Sequence, residues 1–475
     1  MPARVVLGVG AGIAAYKACE LLRLLTESGN RVRVVPTADA LRFVGEVTWA
    51  ALSGEPVATQ PWSGAESVPH VRLGQEADLV IVAPATADLI ARAATGMADD
   101  LLTTTLLTAR CPLLFAPAMH TEMWEHAATQ ANVALLRERG AIVLYPAAGR
   151  LTGKDSGVGR LPDPAEIFAV ASHLLGRAAA GARDSGSAAG ARAATVVGRY
   201  NDLAGRRVVV SAGGTREEID PVRFIGNWSS GLQGYALART AAARGAEVTL
   251  VAANVSLPDP AGAKVIRVTS AREMHDAVMT AAATADAVVM AAAVADYRPE
   301  TRHPAKLKKD GTGRAPEPIR LVENPDILAD LAAQRTPATS TPGQRIADTN
   351  TPATSAAATR TARAQVLVGF AAETDTSPQV AKAKLKRKGC DLLVVNPVGN
   401  GLGFGTADNE AVVYGADGSV TEIPRGPKEV LADVVWDLVA SNLKLNVASA
   451  NPDKITASCP VLSRENRRGA SSVYI

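Results

Sequence analysis

The chain has 475 residues, too many for one ordinary hydrophobic core, so its length predicts two domains of roughly 150 to 250 residues each. Apolar residues make up 47% and charged residues 20%, which excludes an intrinsically disordered chain. A formal charge of +3 is too small for a general nucleic-acid binder, although it leaves room for a local basic pocket.

Arg4–Val9 reads as a buried strand, Gly10–Gly12 as a tight turn, and the next segment as a helix with Ala14, Ala18, Leu21, Leu22 and Leu25 on one face. Arg31–Val35 supplies a second strand, and Leu79–Ala83, Leu113–Ala116 and Ile142–Tyr145 continue the rhythm with helical stretches between them. Strands alternating with helices predict a mostly parallel sheet covered on both faces. The pattern breaks near Leu175. Residues 176–202, rich in Ala, Gly and Arg, read as a linker. A second α/β run follows, with strands at Arg207–Ser211, Glu247–Val251, Val265–Val268, Ala287–Ala291, Val366–Phe370 and Asp391–Val395. The Ala/Thr/Pro-rich stretch 336–364 reads as a mobile insertion, and the tail 444–475 as poorly ordered. The domains are therefore expected at 1–175 and 203–443.

Cys19, Cys111, Cys390 and Cys459 form no CxxC pair and no Cys/His spacing, which argues against a zinc site and for free thiols. No apolar stretch is long enough to span a membrane, and no cleavable leader is visible, so a cytoplasmic protein is expected.

Three segments of the first half carry chemistry. Gly8–Lys17, GVGAGIAAYK, lets a strand hand over to a helix through small residues. That geometry suits either a phosphate held on backbone amides or simple helix–strand packing. His70 is followed by the strand Leu79–Ala83, which ends in Pro84–Asp88, PATAD, and by Pro117–Trp124, PAMHTEMW. Strand ends of this kind are where open α/β sheets bind ligands.

In this order the segments resemble the phosphopantothenoylcysteine decarboxylase family of flavoproteins, from Val5 to about Pro164. The resemblance implies a flavodoxin-like domain that binds FMN through Gly10, Ala11, Gly12, Thr37, Ala85 and Thr86, with His70 as catalytic histidine. It implies chemistry in which the cysteinyl thiol is oxidised to a thioaldehyde, CO2 leaves, and the resulting enethiolate is protonated and reduced. Two departures stand out. His120 occupies the position of an asparagine that would bind the substrate carboxylate, and both side chains can donate a hydrogen bond. The flap Gly149–Arg160, GRLTGKDSGVGR, has Gly153 where many relatives carry a proton-donating cysteine. Lys154, Asp155, His120 or water are the available substitutes.

In the second half, Val208–Ala238 holds SAGGT and SSGLQG around Arg216, Arg223 and Asn227. Ala291–Pro299, AAAVADYRP, precedes Lys306, and Glu323–Leu328, ENPDIL, and Val368–Thr374, VGFAAET, follow. Lys384 and Lys388 share one helical face, a spacing that equally fits an anion site or a solvated face. From about Leu203 to Ala440 these blocks resemble phosphopantothenate–cysteine ligase, which implies a Rossmann-like nucleotide-binding domain. By that resemblance CTP is bound by Met290, Ala291, Ala292, Asp296, Lys306, Pro325, Asp326, Ile327, Leu328, Phe370, Lys384 and Lys388. Lys306 assists acyl-cytidylate formation, and Asn227 holds that intermediate for attack by cysteine. Mg2+ is expected with the triphosphate, but no carboxylate cage names its ligands. Leu232 stands where many relatives have lysine in SSGKxG.

The fused order resembles the bacterial bifunctional enzyme of coenzyme A biosynthesis. It implies small-molecule partners only (4'-phosphopantothenate, cysteine and CTP), no nucleic acid, and no membrane. It also implies a homo-oligomer, trimeric through the flavin half and dimeric through the ligase half, hence a dodecamer. The competing reading is a flavin-binding regulatory or assembly half, inactive as a decarboxylase, fused to an active ligase.

Overall fold

The computed structural model describes residues 2–58, 69–151, 155–184, 202–308, 318–335, 365–373, 377–398, 406 and 408–450. The first half is built from β1 (Arg4–Val9), α1 (Ala15–Glu27), β2 (Arg31–Pro36), α2 (Glu46–Ser53), α3 (Pro69–Glu76), β3 (Leu79–Ala85), α4 (Ala87–Thr95), α5 (Leu101–Thr108), β4 (Leu113–Pro117), α6 (Thr121–Glu125), α7 (Ala127–Glu138), β5 (Ile142–Val143), β6 (Ala147–Arg150), β7 (Ser156–Arg160) and α8 (Pro164–Asp184). Its main sheet is parallel, in the order β2-β1-β3-β4-β5. This is the flavodoxin-like order.

Alternation along β1 sends Val5, Leu7 and Val9 to one face and Val6 to the other. The first face packs against α1 and α8, the second against α4, α5 and α7. Leu21, Leu22 and Leu25 of α1 are fully buried there, each contributing about 1.5–3 kcal/mol. Every residue of β3 is buried, as a central parallel strand demands.

The second half comprises β8 (Arg207–Gly213), β9 (Arg216–Glu218), β10 (Phe224–Gly226), α9 (Leu232–Ala243), β11 (Glu247–Ala253), β12 (Ala263–Val268), α10 (Ala271–Ala282), β13 (Ala287–Met290), β14 (Tyr297–Pro299), β15 (Leu321–Glu323), α11 (Ile327–Ala333), β16 (Val366–Glu373), α12 (Pro378–Lys388), β17 (Leu392–Pro397), β18 (Asp408–Gly415), β19 (Val420–Pro427) and α13 (Lys428–Ala450). Its sheet runs β12-β11-β8-β13-β16-β17-β18-β19, parallel except for the last two strands. Helices α9 and α13 cover one face, and α10, α11 and α12 the other.

The structure differs from the sequence reading at the edges of elements. Residues 176–184, read as linker, continue α8, and residues 444–450, read as tail, continue α13. Alanine-rich sequence has high helix propensity once a preceding packed turn removes the nucleation cost. The strand expected at Ile142–Tyr145 is only two residues long, because the chain turns into the β6–β7 hairpin. The insertion 336–364, Gly153, Lys154 and Cys459 lie outside the described residues. Among the described residues no helix is long and apolar enough to cross a membrane.

Candidate active sites

In the first half, β1 is flanked by β2 on one side and β3 on the other, so the order in which strands are added reverses at the β1/β3 switch point. A ligand crevice opens at the carboxyl ends of such strands. The Gly10 amide donates to the Pro84 carbonyl (3.0 Å), pressing the β1–α1 turn onto the end of β3. A Cβ on Gly10 would lie 2.4 Å from that oxygen, so only glycine fits. Gly12 has φ +125° and open space where a Cβ would be. Thr37 follows β2, and its amide donates to the Val9 carbonyl (2.9 Å). Ala85 ends β3, and Thr86 caps α4, its hydroxyl accepting from the Leu89 amide (3.2 Å). The six residues expected to hold FMN therefore meet at three adjacent strand ends. Small residues, a left-handed glycine and the uncapped first turn of α1 fit a flavin phosphate.

The Ala118 amide donates to the Ala85 carbonyl (3.1 Å), which carries the Pro117–His120 segment to the same crevice. His120 precedes α6, its ring 43% exposed and its Nδ1 3.9 Å from Glu122 Oε2. The flap hairpin β6–β7 lies against this segment, with the Met119 amide donating to the Gly159 carbonyl (2.9 Å). Leu151 and Asp155 close the hairpin by a backbone bond of 2.8 Å. His70 stands apart. It lies in the first turn of α3, and its carbonyl accepts from the Thr108 hydroxyl of α5 (2.8 Å). Its Nδ1 is buried without a hydrogen-bond partner among the described residues. No hydrogen bond among those residues ties it to the crevice.

In the second half, the switch point falls between β8 and β13, and a cleft of about 1140 Å3 opens there. It is lined by Asn227 and by every residue expected at the nucleotide except Lys306. The Ser211 hydroxyl accepts from the Ala292 amide (3.1 Å) and the Thr215 hydroxyl from the Ala295 amide (2.9 Å). Those bonds fix the backbone between Met290 and Asp296. Asn227 donates to the Val294 carbonyl (3.0 Å), and Gly214 leaves room for the Asn227 backbone, which a Cβ would meet at 2.6 Å. Lys384 pairs with Glu373 (2.7 Å), and Lys388 with Asp326, whose carboxylate also caps α11.

Lys306 is exposed on the loop after β14, outside the cleft lining. The next residue is anchored: the Leu307 amide donates to Asp220 (3.1 Å) and its carbonyl accepts from Arg223 (2.8 Å). Arg223 holds the Asp220 carboxyl well below the usual carboxylate range. Sequence reasoning passed over Asn324, which donates to the Ala295 carbonyl (2.9 Å) although it stands inside ENPDIL. It also passed over Gln233, within SSGLQG, and Asn409 and Lys428, which line the cleft from segments with no nucleotide motif. Among the described residues no cluster of three or more His, Cys, Asp or Glu could hold a metal. Burial pushes Cys111 up to about 12 and Cys390 up to about 11, which leaves both as inert thiols.

A family model described as "Flavoprotein" matches residues 2–176, and that of the DNA/pantothenate metabolism flavoprotein C-terminal domain matches residues 203–344 and 344–443. The coenzyme A biosynthesis bifunctional protein CoaBC of Mycobacterium tuberculosis is 52% identical over 448 residues, 93% of this chain and 97% of that protein. Its counterpart in Mycolicibacterium smegmatis is 52% identical over 446 residues, 93% of this chain and 98% of that protein. That of Vibrio cholerae is 39% identical over 439 residues, 92% of this chain and 97% of that protein. With a flavoprotein half, a pantothenate-metabolism half and such relatives across nearly its whole length, the chain belongs to the family of bifunctional coenzyme A biosynthesis proteins.

Proposed function

We propose that the second half joins cysteine to 4'-phosphopantothenate at the expense of CTP, and that the first half decarboxylates the product to 4'-phosphopantetheine. The observation that supports this reading most is the cleft at the β8/β13 switch point, lined by Asn227 and by every residue expected at the nucleotide except Lys306.

In the ligase half, the pantothenate carboxylate attacks the α-phosphate of CTP, giving an acyl-cytidylate and diphosphate. The cysteine amine then attacks the acyl carbon and CMP leaves. Lys384 and Lys388 exchange their contacts with Glu373 and Asp326 for phosphate oxygens as charge develops. The backbone around Ala291–Asp296 holds the nucleotide, and Asn227 turns from the Val294 carbonyl to the acyl-cytidylate. Lys306 serves from the rim, beside the residue that Asp220 and Arg223 anchor. Mg2+ arrives with the triphosphate.

In the flavin half, bound FMN would supply the oxidation of the cysteinyl unit that makes loss of its carboxylate feasible, and the re-reduction that follows. Gly10, Ala11, Gly12, Thr37, Ala85 and Thr86 hold the flavin. His70 accepts the substrate's thiol proton. His120 donates to the substrate carboxylate, with the flap hydrogen-bonded over its segment. The flap offers Gly153 at the usual donor position, so the enethiolate takes its proton from Lys154, Asp155, His120 or water. The protein works in the cytoplasm as a homo-oligomer, trimeric through one half and dimeric through the other.

Incubation with 4'-phosphopantothenate, cysteine and CTP should release CO2 and yield 4'-phosphopantetheine by mass spectrometry, with ATP a poor substitute for CTP. Clear preference for ATP overturns the nucleotide assignment. Gly153 also favours a second reading, in which the flavin half is inactive and serves regulation or assembly. Accumulation of undecarboxylated 4'-phosphopantothenoylcysteine by FMN-loaded protein would establish it.

A further inference from the structure

The Ser229–Gly234 turn carries Leu232 where a lysine would supply a phosphate contact, yet a cation stands at that turn. Lys428 opens α13, is only 4% exposed, and lines the cleft beside Leu232 and Gln233. The Gln233 side chain donates to the Lys428 carbonyl (3.2 Å) and accepts from Asn409 Nδ2 (3.0 Å). Lys428 is therefore fixed to the first turn of α9, which starts at Gly231 without a side-chain cap.

Its ammonium is under-supplied with partners. An ammonium has three donors. One goes to the Asp408 carbonyl (3.0 Å), and no other acceptor is in reach among the described residues. No carboxylate of those residues lies within ion-pair distance. Asp408 offers only its backbone oxygen, and Glu429 pairs with Arg239 (2.9 Å). A cation in the first turn of a helix is also opposed by the helix dipole. Burial accordingly lowers the proton affinity of Lys428, with Asp408 and Glu429 opposing from farther off. A buried charge in this position calls for an anion.

We propose that Lys428 is the cation that holds a phosphate group of the ligase substrates at the Ser229–Gly234 turn, in the role that Leu232 leaves open. This rests on the ligase reading of the cleft. The sheet separates two subsites. Lys384 and Lys388 come from α12 on one face, and Lys428 from the α9–α13 layer on the other. The substrates bring two phosphate moieties, the triphosphate of CTP and the phosphomonoester of 4'-phosphopantothenate. With the triphosphate at Lys384 and Lys388, the monoester falls to Lys428.

Lys428→Met keeps most of the stem and removes the charge. The KM for 4'-phosphopantothenate should rise about 10- to 100-fold, the worth of one charge-assisted hydrogen bond, while the KM for CTP and kcat stay within about threefold. Lys384→Met should show the converse. If Lys428→Met raises the KM for CTP instead, the held phosphate is the nucleotide's. A second measurement needs no turnover: inorganic phosphate should raise the melting temperature of the wild type and not that of Lys428→Met. Phosphate stabilisation confined to the wild type, in a chain without ligase activity, would uphold Lys428 and overturn the ligase reading alone. Equal stabilisation of both forms, with neither KM moved, overturns the proposal. Should Lys428→Met not fold, Lys428→Gln, which keeps a donor for the Asp408 carbonyl, goes through the same series.

Discussion

Gly10→Ala tests whether the flavin cradle depends on contact between the β1–α1 turn and the end of β3. The new Cβ would sit 2.4 Å from the Pro84 carbonyl oxygen, where real Cβ contacts stay at 3.0 Å or more. The two backbones must separate by about 0.6 Å, which stretches the 3.0 Å bond from the Gly10 amide beyond useful range. Overpacking of this kind costs about 1–3 kcal/mol. The displaced residue directly precedes Ala85 and Thr86, so the strain falls beside the residues proposed to hold the flavin. If FMN requires the present spacing, its Kd should rise about 5- to 150-fold. Quenching of flavin fluorescence on titration into apoprotein measures this, and thermal melting reports the share lost as stability. Gly176→Ala is the control, since its Cβ would meet nothing within 4 Å in α8. It should leave FMN affinity unchanged and raise the melting temperature slightly. A Gly10→Ala protein that binds FMN within about twofold and melts normally would refute the contact argument.

His70→Ala should abolish CO2 release and leave ligation intact, whereas His120→Asn should retain substantial decarboxylation; coupled assays of each half separate the two. Lys306→Ala should slow acyl-cytidylate formation by about 10² to 10³, and Asn227→Asp should let it form and then stall, as trapped intermediate on rapid quenching would reveal. Iodoacetamide at pH 8 should spare Cys111 and Cys390 in the folded chain and label them in urea, because burial keeps both thiols protonated. Arg239→Met should destabilise by roughly 3–5 kcal/mol at pH 8, because it strands the buried Glu166 carboxylate. Burial already raises the folded pKa of Glu166 and Arg239 opposes that rise, so the variant's deficit is smallest near the unfolded value of about 4.3 and grows as pH climbs through the raised one. Melting curves at pH 5 and pH 8 check the sign, and an equal deficit at both would contradict it.

The flavin crevice was legible because its chemistry is local. Gly10–Gly12 and Ala85–Thr86 each sit where a strand hands over to a helix, and backbone geometry there is written in residue size. The lining of the second cleft, as far as Phe370 and Lys388, was reached only through the family resemblance, since the Lys384/Lys388 spacing alone equally fits a solvated face. Lys428 and Asn409 were not. They enter from β18 and α13, after an antiparallel edge that reverses the parallel rhythm, and only tertiary packing brings them to Gln233. Lys306 shows the opposite limit. The family resemblance put it at the nucleotide, while the Asp220–Arg223 pair anchors its loop outside the cleft lining. The β6–β7 hairpin was hidden because AAGR and SGVGR, rich in Ala and Gly, carry no strand periodicity.

Helix α8 places the two halves in register. Its Ile167, Val170, Ala171 and Leu174 belong to the first core, and Ala243 and Ala261 of the second half pack into that same core. Beside them Glu166 meets Arg239 at 3.4 Å, and His173 Nε2 lies 3.4 Å from Asp433. The buried Glu166–Arg239 pair stabilises little in net terms, because desolvation offsets most of the attraction, but losing one partner would strand the other. Arg239 and Ala243 lie on α9, the helix whose first turn closes the Ser229–Gly234 loop at the ligase cleft. A helix of 12 residues spans about 18 Å and moves as one rod. The flavin half therefore braces one end of the element whose other end carries Leu232 and Gln233. Removing α8 would expose Ala243 and Ala261 and take Glu166 from Arg239, while Tyr235, Leu237, Ala238 and Ala241 would keep α9 packed against α13 in the second core.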